Sequence, residues 1–143
     1  MSPKFAVIAA AAALIVPLAP LVAHHSFAAE YDANKPVKFT GTVTKVEWTN
    51  PHARFYVDVK DANGKVTNWN LELASPNALR RLGWTRETLK VGEIVIVQGS
   101  LAKDGSKMAN ARSVVLASGK RVFAGSSADA EAPAAGSAPA TGR

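Results

Sequence analysis

Between residues 37 and 123 apolar and polar residues alternate with a period of two, a pattern that strands satisfy and helices do not. Phe39, Gly41 and Val43 keep one parity, and Val46 and Trp48 keep the other. Side chains along a strand point to alternate faces, so a parity switch inside one apolar run predicts a long strand with a bulge. Asn50-Pro51 ends that strand. Phe55, Val57 and Val59 then alternate with Arg54, Tyr56, Asp58 and Lys60, which predicts a half-buried second strand. Asp61-Ala62-Asn63-Gly64 is a hairpin turn. Val66 to Leu73 returns, with Trp69, Leu71 and Leu73 on one face and Asn68, Asn70 and Glu72 on the wet one.

Ser75-Pro76 opens a helix, Ser as N-cap and Pro at the first helical position. Ala78, Leu79 and Leu82 form its apolar side and Gly83 closes it. A strongly apolar strand runs from Ile94 to about Leu101, a turn follows at Lys103-Asp104-Gly105-Ser106, and Met108 to Leu116 is the last long strand. Val122-Phe123 is a short extension. The order predicts a mainly β fold: a small five-stranded OB-fold-like barrel with one helix between strands 3 and 4. Another small β-barrel or sandwich crossed by one helix is the alternative.

The ends of the chain belong to neither. Lys4 precedes an uncharged, alanine-rich run from Phe5 to Leu18, too short to span a bilayer. Leu21 and Ala23 suit the −3 and −1 positions of a signal-peptidase site, so residues 1–23 read as a cleaved signal peptide. Pro17 and Pro20 argue against an uncleaved anchor, because they break the helix it needs. Residues 24–36 form an N-terminal arm, 37–123 the barrel domain, and 124–143 a tail of small residues that cannot bury enough surface to order itself. With 143 residues there is room for one domain. The chain has no cysteine, which excludes disulfides, thiolate metal sites and attachment of a lipid after cleavage. The expectation is a soluble periplasmic protein. Its formal charge of +6 is spread over singly placed basic residues, a solvated surface rather than a nucleic-acid stripe.

Three histidines carry what chemistry the sequence offers: His24 and His25 at the expected mature N-terminus, and His52 in the turn after the first strand. A free N-terminal histidine chelates through its α-amine and its ring, and another imidazole completes a nitrogen-rich site. Such a donor set suits copper(II). Zinc would take a fourth ligand, Asp32 or Glu30. The simpler reading is a frayed terminus and a loop histidine. Trp48, Asn50, Arg54 and Tyr56 flank the loop between the first two strands and the face that OB-folds use for ligands. Asn68, Asn70 and Glu72 extend that face, although both Trp48 and Trp69 also read as core residues. Tyr31 and Asp32 are expected to pin the arm, and Pro51 with Asn50 to shape the turn. No G-x-S-x-G elbow, H-E-x-x-H pair or phosphate loop is present. The expected role is therefore binding, not catalysis: of a transition metal, or, without metal, of an exported protein partner or small ligand.

His24-His25-Ser26-Phe27, Tyr31-Asp32, Trp48-Thr49-Asn50-Pro51-His52, Ser75-Pro76 and Leu82-Gly83-Trp84 carry a further signal. Across Ala23 to Leu116 the chain resembles a family of small exported bacterial proteins of unknown function. That family has an HHS segment after the signal peptide and a W-x-N-P-H motif. The resemblance implies export and one small domain, and it transfers no activity.

Overall fold

The computed structural model describes residues 27–126. The expected signal peptide, His24, His25 and the tail from residue 127 lie outside them. Among the described residues there are six strands and two short helices, in the order α1 (Phe27–Glu30), β1 (Tyr31–Glu47), β2 (Arg54–Lys60), β3 (Val66–Glu72), α2 (Pro76–Arg81), β4 (Ile94–Ala102), β5 (Met108–Val115) and β6 (Arg121–Phe123). The fold is mainly β. It has one strand and one helix more than the sequence pattern resolves, because α1 is a single turn and β6 three residues, too short for either period to register.

Strand β1 is long because it serves two partners. Its last part, from Thr42 to Glu47, pairs antiparallel with β2, and its middle pairs antiparallel with β4, from Pro36↔Ser100 to Thr42↔Ile94. The register with β2 shifts between Val43 and Lys45, where the apolar parity changes. β2 pairs with β3, and β4 with β5, in the same antiparallel sense. A parallel seam between β3 and β5, from Asn70↔Met108 to Glu72↔Asn110, then joins the two halves. The pairings thus run in a closed circuit, β1–β2–β3–β5–β4–β1, with β6 added beside β5.

The core fills the inside of that circuit. Val43, Phe55, Val57, Leu71, Leu73, Val95, Val97 and Val114 are all buried. Leu79 of α2, fully buried, covers one end. The helix starts where Ser75 accepts a hydrogen bond from the Ala78 amide and ends before Gly83, at φ +87°, a value that favours glycine. The Trp84 indole N–H donates to the Phe123 carbonyl at 2.7 Å, tying the segment after α2 to β6.

Two stretches flanking the expected barrel domain, the arm and the first residues after Phe123, are joined to this body. Residues 31–36 belong to β1, and α1 turns Phe27 onto Tyr31, Ala102 and Met108 to make a second, small apolar cluster. Residues 124–126 continue past β6: Ala124 is fully buried, its amide donates to the Arg112 carbonyl, and its own carbonyl accepts from the Ala74 amide. The lack of large side chains in this stretch does not prevent ordering, because its backbone polar groups are satisfied by the sheet.

Gly99 marks the tightest point of the wall, at the register shift in β4–β5. A Cβ there would lie 2.1 Å from the Asn110 carbonyl oxygen. Gly99→Ala is therefore expected to cost about 1–3 kcal/mol, read as a lowered urea midpoint with an unchanged slope. An unchanged midpoint would mean that β4 and β5 are not so closely apposed.

Candidate functional site

The most unusual side chain in the fold is Glu72, at the end of β3. Strand alternation turns it away from the core, so the sequence places it on the wet face with Asn68 and Asn70. Asn68 is exposed there, whereas Glu72 is only 3% exposed. It is covered from several elements. Arg54 of β2, its cross-strand partner, donates from Nη2 to Glu72 Oε2 at 2.7 Å and from Nη1 to Asn70 Oδ1 at 3.3 Å. Asn110 of β5, its partner across the parallel seam, donates from Nδ2 to Glu72 Oε1 at 3.3 Å. Ser126, beyond β6, donates in turn to Asn110 Oδ1. Burying a carboxylate is costly unless it is paired and hydrogen-bonded, and here both oxygens have partners.

Two further groups face this carboxylate. His52, in the loop after β1, places Nδ1 3.4 Å from Glu72 Oε1, with its side chain 37% exposed. Tyr31, at the start of β1, is 2% exposed, and its ring stacks on Phe27 with centroids 5.8 Å apart. The Tyr31 hydroxyl is buried, and its electrostatic partner is the Glu72 carboxylate. Burial, reinforced by the negative charge of Glu72, holds that phenol far above its ordinary range. Arm, loop, β2, β3 and β5 therefore converge on one end of the molecule.

The sequence candidates divide accordingly. Arg54, His52 and Tyr31 come together around Glu72. Asp32 caps the backbone beside them, accepting from the Asn34 amide at 2.9 Å. Asn50 and Pro51 are exposed and joined by a cis peptide bond, in the loop leading to His52. Tyr56 belongs to a separate surface network: its hydroxyl donates to Glu47 at 3.1 Å, and Lys45 lies over its ring. Lys45 also pairs with Glu47, raising the lysine's pKa and lowering the glutamate's. Trp48 packs half-buried against the core beside Trp84 and Leu89, and its indole N–H is buried without a partner. Among the described residues no cluster of three or more His, Asp or Glu side chains could hold a metal ion. Sequence reasoning missed Glu72, Asn110 and Ser126 as a network. Alternation sends Glu72 outward, and nothing in the pattern says what covers it.

A cleft of about 330 Å³ opens beside this network. Its walls come from α1, the start of β1, Arg54, and the hairpin between β4 and β5, including Lys103, Asp104 and Ser106. The Lys103 ammonium donates to the Ala28 carbonyl and its amide to the Glu30 carbonyl, so the hairpin clamps the arm.

Arg54→Ala is expected to cost about 3–5 kcal/mol by stranding the buried Glu72 carboxylate, measured by denaturant unfolding. Tyr31→Phe removes a buried hydroxyl beside the Glu72 carboxylate and is expected to cost no more than about 3 kcal/mol near neutral pH. The sign with pH is definite. The phenol's value is raised on folding, so its stabilising effect is complete below about pH 10 and is lost as the pH rises further. Wild-type stability should then fall more steeply above about pH 10 than that of Tyr31→Phe. Parallel curves would show that Tyr31 is not shielded.

Among the described residues no helix is long and apolar enough to cross a membrane. No curated protein matches the chain. Among solved structures, the mitochondrial single-stranded DNA binding protein Rim1 from S. cerevisiae is similar to it, at 12% identity and a TM-score of 0.45, over 57% of this chain and 92% of that one. Residues 12–111 match the family of unknown function DUF6152, and the chain belongs to that family.

Proposed function

We propose that this is an exported, periplasmic metal-binding module: an OB-type barrel whose mature N-terminus, beginning at His24, joins His52 in holding a copper(II) ion. The observation that carries the reading is the placement of His52. Its Nδ1 faces a buried carboxylate, at the end of the fold where the arm leading back to His25 and His24 is docked.

A carboxylate behind one ring nitrogen is how proteins orient a ligating histidine, fixing its tautomer and leaving the other nitrogen for the metal. Glu72 stands in that position for His52 and is itself immobilised by Arg54 and Asn110. Phe27 is anchored on Tyr31, and Tyr31 lies in the field of Glu72. An extended chain covers at most about 3.3–3.6 Å per residue, so in this reading three residues before Phe27 would allow a reach of up to about 10 Å. In this reading the α-amine and imidazole of His24, the ring of His25 and Nε2 of His52 make a nitrogen-rich, tetragonal donor set, which favours copper(II) over zinc. The closed circuit of pairings, with α2 between β3 and β4, supports the barrel. The apolar run of residues 5–18 and the small residues before His24 support export.

The test uses protein exported and processed in cells, with its start established by intact mass. Copper(II) titration should show one tight equivalent. His52→Ala should weaken it at least about tenfold, and Glu72→Gln by about 10–100-fold. One residue added before His24 should remove the amine contribution. A chain that starts at His24 and binds copper no better than its His52→Ala variant would overturn the proposal.

A further inference from the structure

The outward face of β4, β5 and β6 has no part in the metal reading. Directly paired residues of neighbouring strands share a face. Thr40, Ile96, Val115 and Arg121 therefore form one row across it, and Lys38, Gln98, Ser113 and Phe123 the next. Ile94, opposite Thr42, is 60% exposed, and Phe123 is 63% exposed. The Trp84 indole N–H holds the Phe123 carbonyl, so the ring stands in water on a fixed strand. The charge on this face has one sign. From Lys107 to Ser126 the chain has Lys107, Arg112, Lys120 and Arg121 and no carboxylate. The register shift between β4 and β5 makes Arg112 the extra residue of a bulge, a feature that re-aims a side chain. Arg112 is exposed, and with Lys38 it lines an open cleft of about 360 Å³ whose walls contain no acidic residue. The carboxylates nearest in register are Asp58, opposite Thr42, and Glu93, just before Ile94. The first is engaged by the Asn68 side chain and the second by the Lys90 and Ala117 amides.

We propose that this face docks on an anionic lipid surface, with Ile94 and Phe123 at the boundary between headgroups and acyl chains and Lys38, Arg112 and Arg121 on lipid phosphates. Exposed apolar side chains rimmed by polar ones mark a surface that meets a partner or a membrane. A soluble polyanion would engage the cations and leave Ile94 and Phe123 in water. An anionic bilayer takes both, because apolar burial and attraction to its surface charge add.

The test uses the exported and processed chain with a chelator present, so its result is independent of the metal. Vesicles of phosphatidylcholine alone, and of phosphatidylglycerol and phosphatidylcholine in equal parts, are titrated by co-sedimentation. The mixed vesicles should be bound at least about tenfold more tightly, and the preference should vanish near about 1 M salt. Lys38→Gln combined with Arg121→Gln should weaken that binding about 10–25-fold, and Phe123→Ser should weaken it several-fold, each with the far-ultraviolet spectrum retained. The chain has no cysteine, so Phe123→Cys carries an environment-sensitive dye at one place. Its emission should shift to the blue on mixed vesicles, whereas the same dye at Val66→Cys, an exposed position at the start of β3, should not respond. Equal binding to both vesicles, equal shifts at both dye positions, or polyglutamate bound as tightly as the mixed vesicles would each overturn the proposal.

Discussion

The parallel seam between β3 and β5 is the constraint on which the rest of this structure depends. Only three residue pairs long, it turns an open, twisted sheet into a closed circuit. It also brings Glu72 beside Asn110, so the buried carboxylate and the closure of the sheet are one feature seen at two scales. Without the seam, Leu71 and Ala109 would lose the wall that buries them. Without Asn110 and Arg54, the last pair of the seam would hold an unpaired charge out of water.

Two segments outside the circuit complete this arrangement. The arm brings Phe27 and Tyr31 over one side, and the residues after β6 bring Ala124 and Ser126 to another. The arm adds two buried aromatic rings, whereas the residues after β6 act through backbone hydrogen bonds and small side chains. The folding unit is therefore wider than its run of alternating residues, and its chemically unusual end is built from parts distant in sequence.

That explains which features could be read in advance. The bulge in β1 was legible because Val43 and Val46 sit on opposite parities. The helix start was legible because Ser75 and Pro76 satisfy the same donors in any context. Arg54, His52 and Tyr31 could be nominated from residue type and position in the chain. The burial of Glu72 could not, because alternation states only which face a side chain points to, and the cover arrives from Tyr31, Asn110 and Ser126. Residues 124–126 were hidden for a related reason. Composition measures what a segment can bury by itself, and Ala124 is buried by others.

The long first strand has a consequence for the time the chain takes to fold. β1 finds one partner in the neighbouring β2 but the other in β4, most of the domain away, and the seam joins β3 to β5 across α2. Contacts of such high sequence separation form late, since loops must close before any of them is rewarded. Such a chain stays unfolded longer than a helical one of equal size.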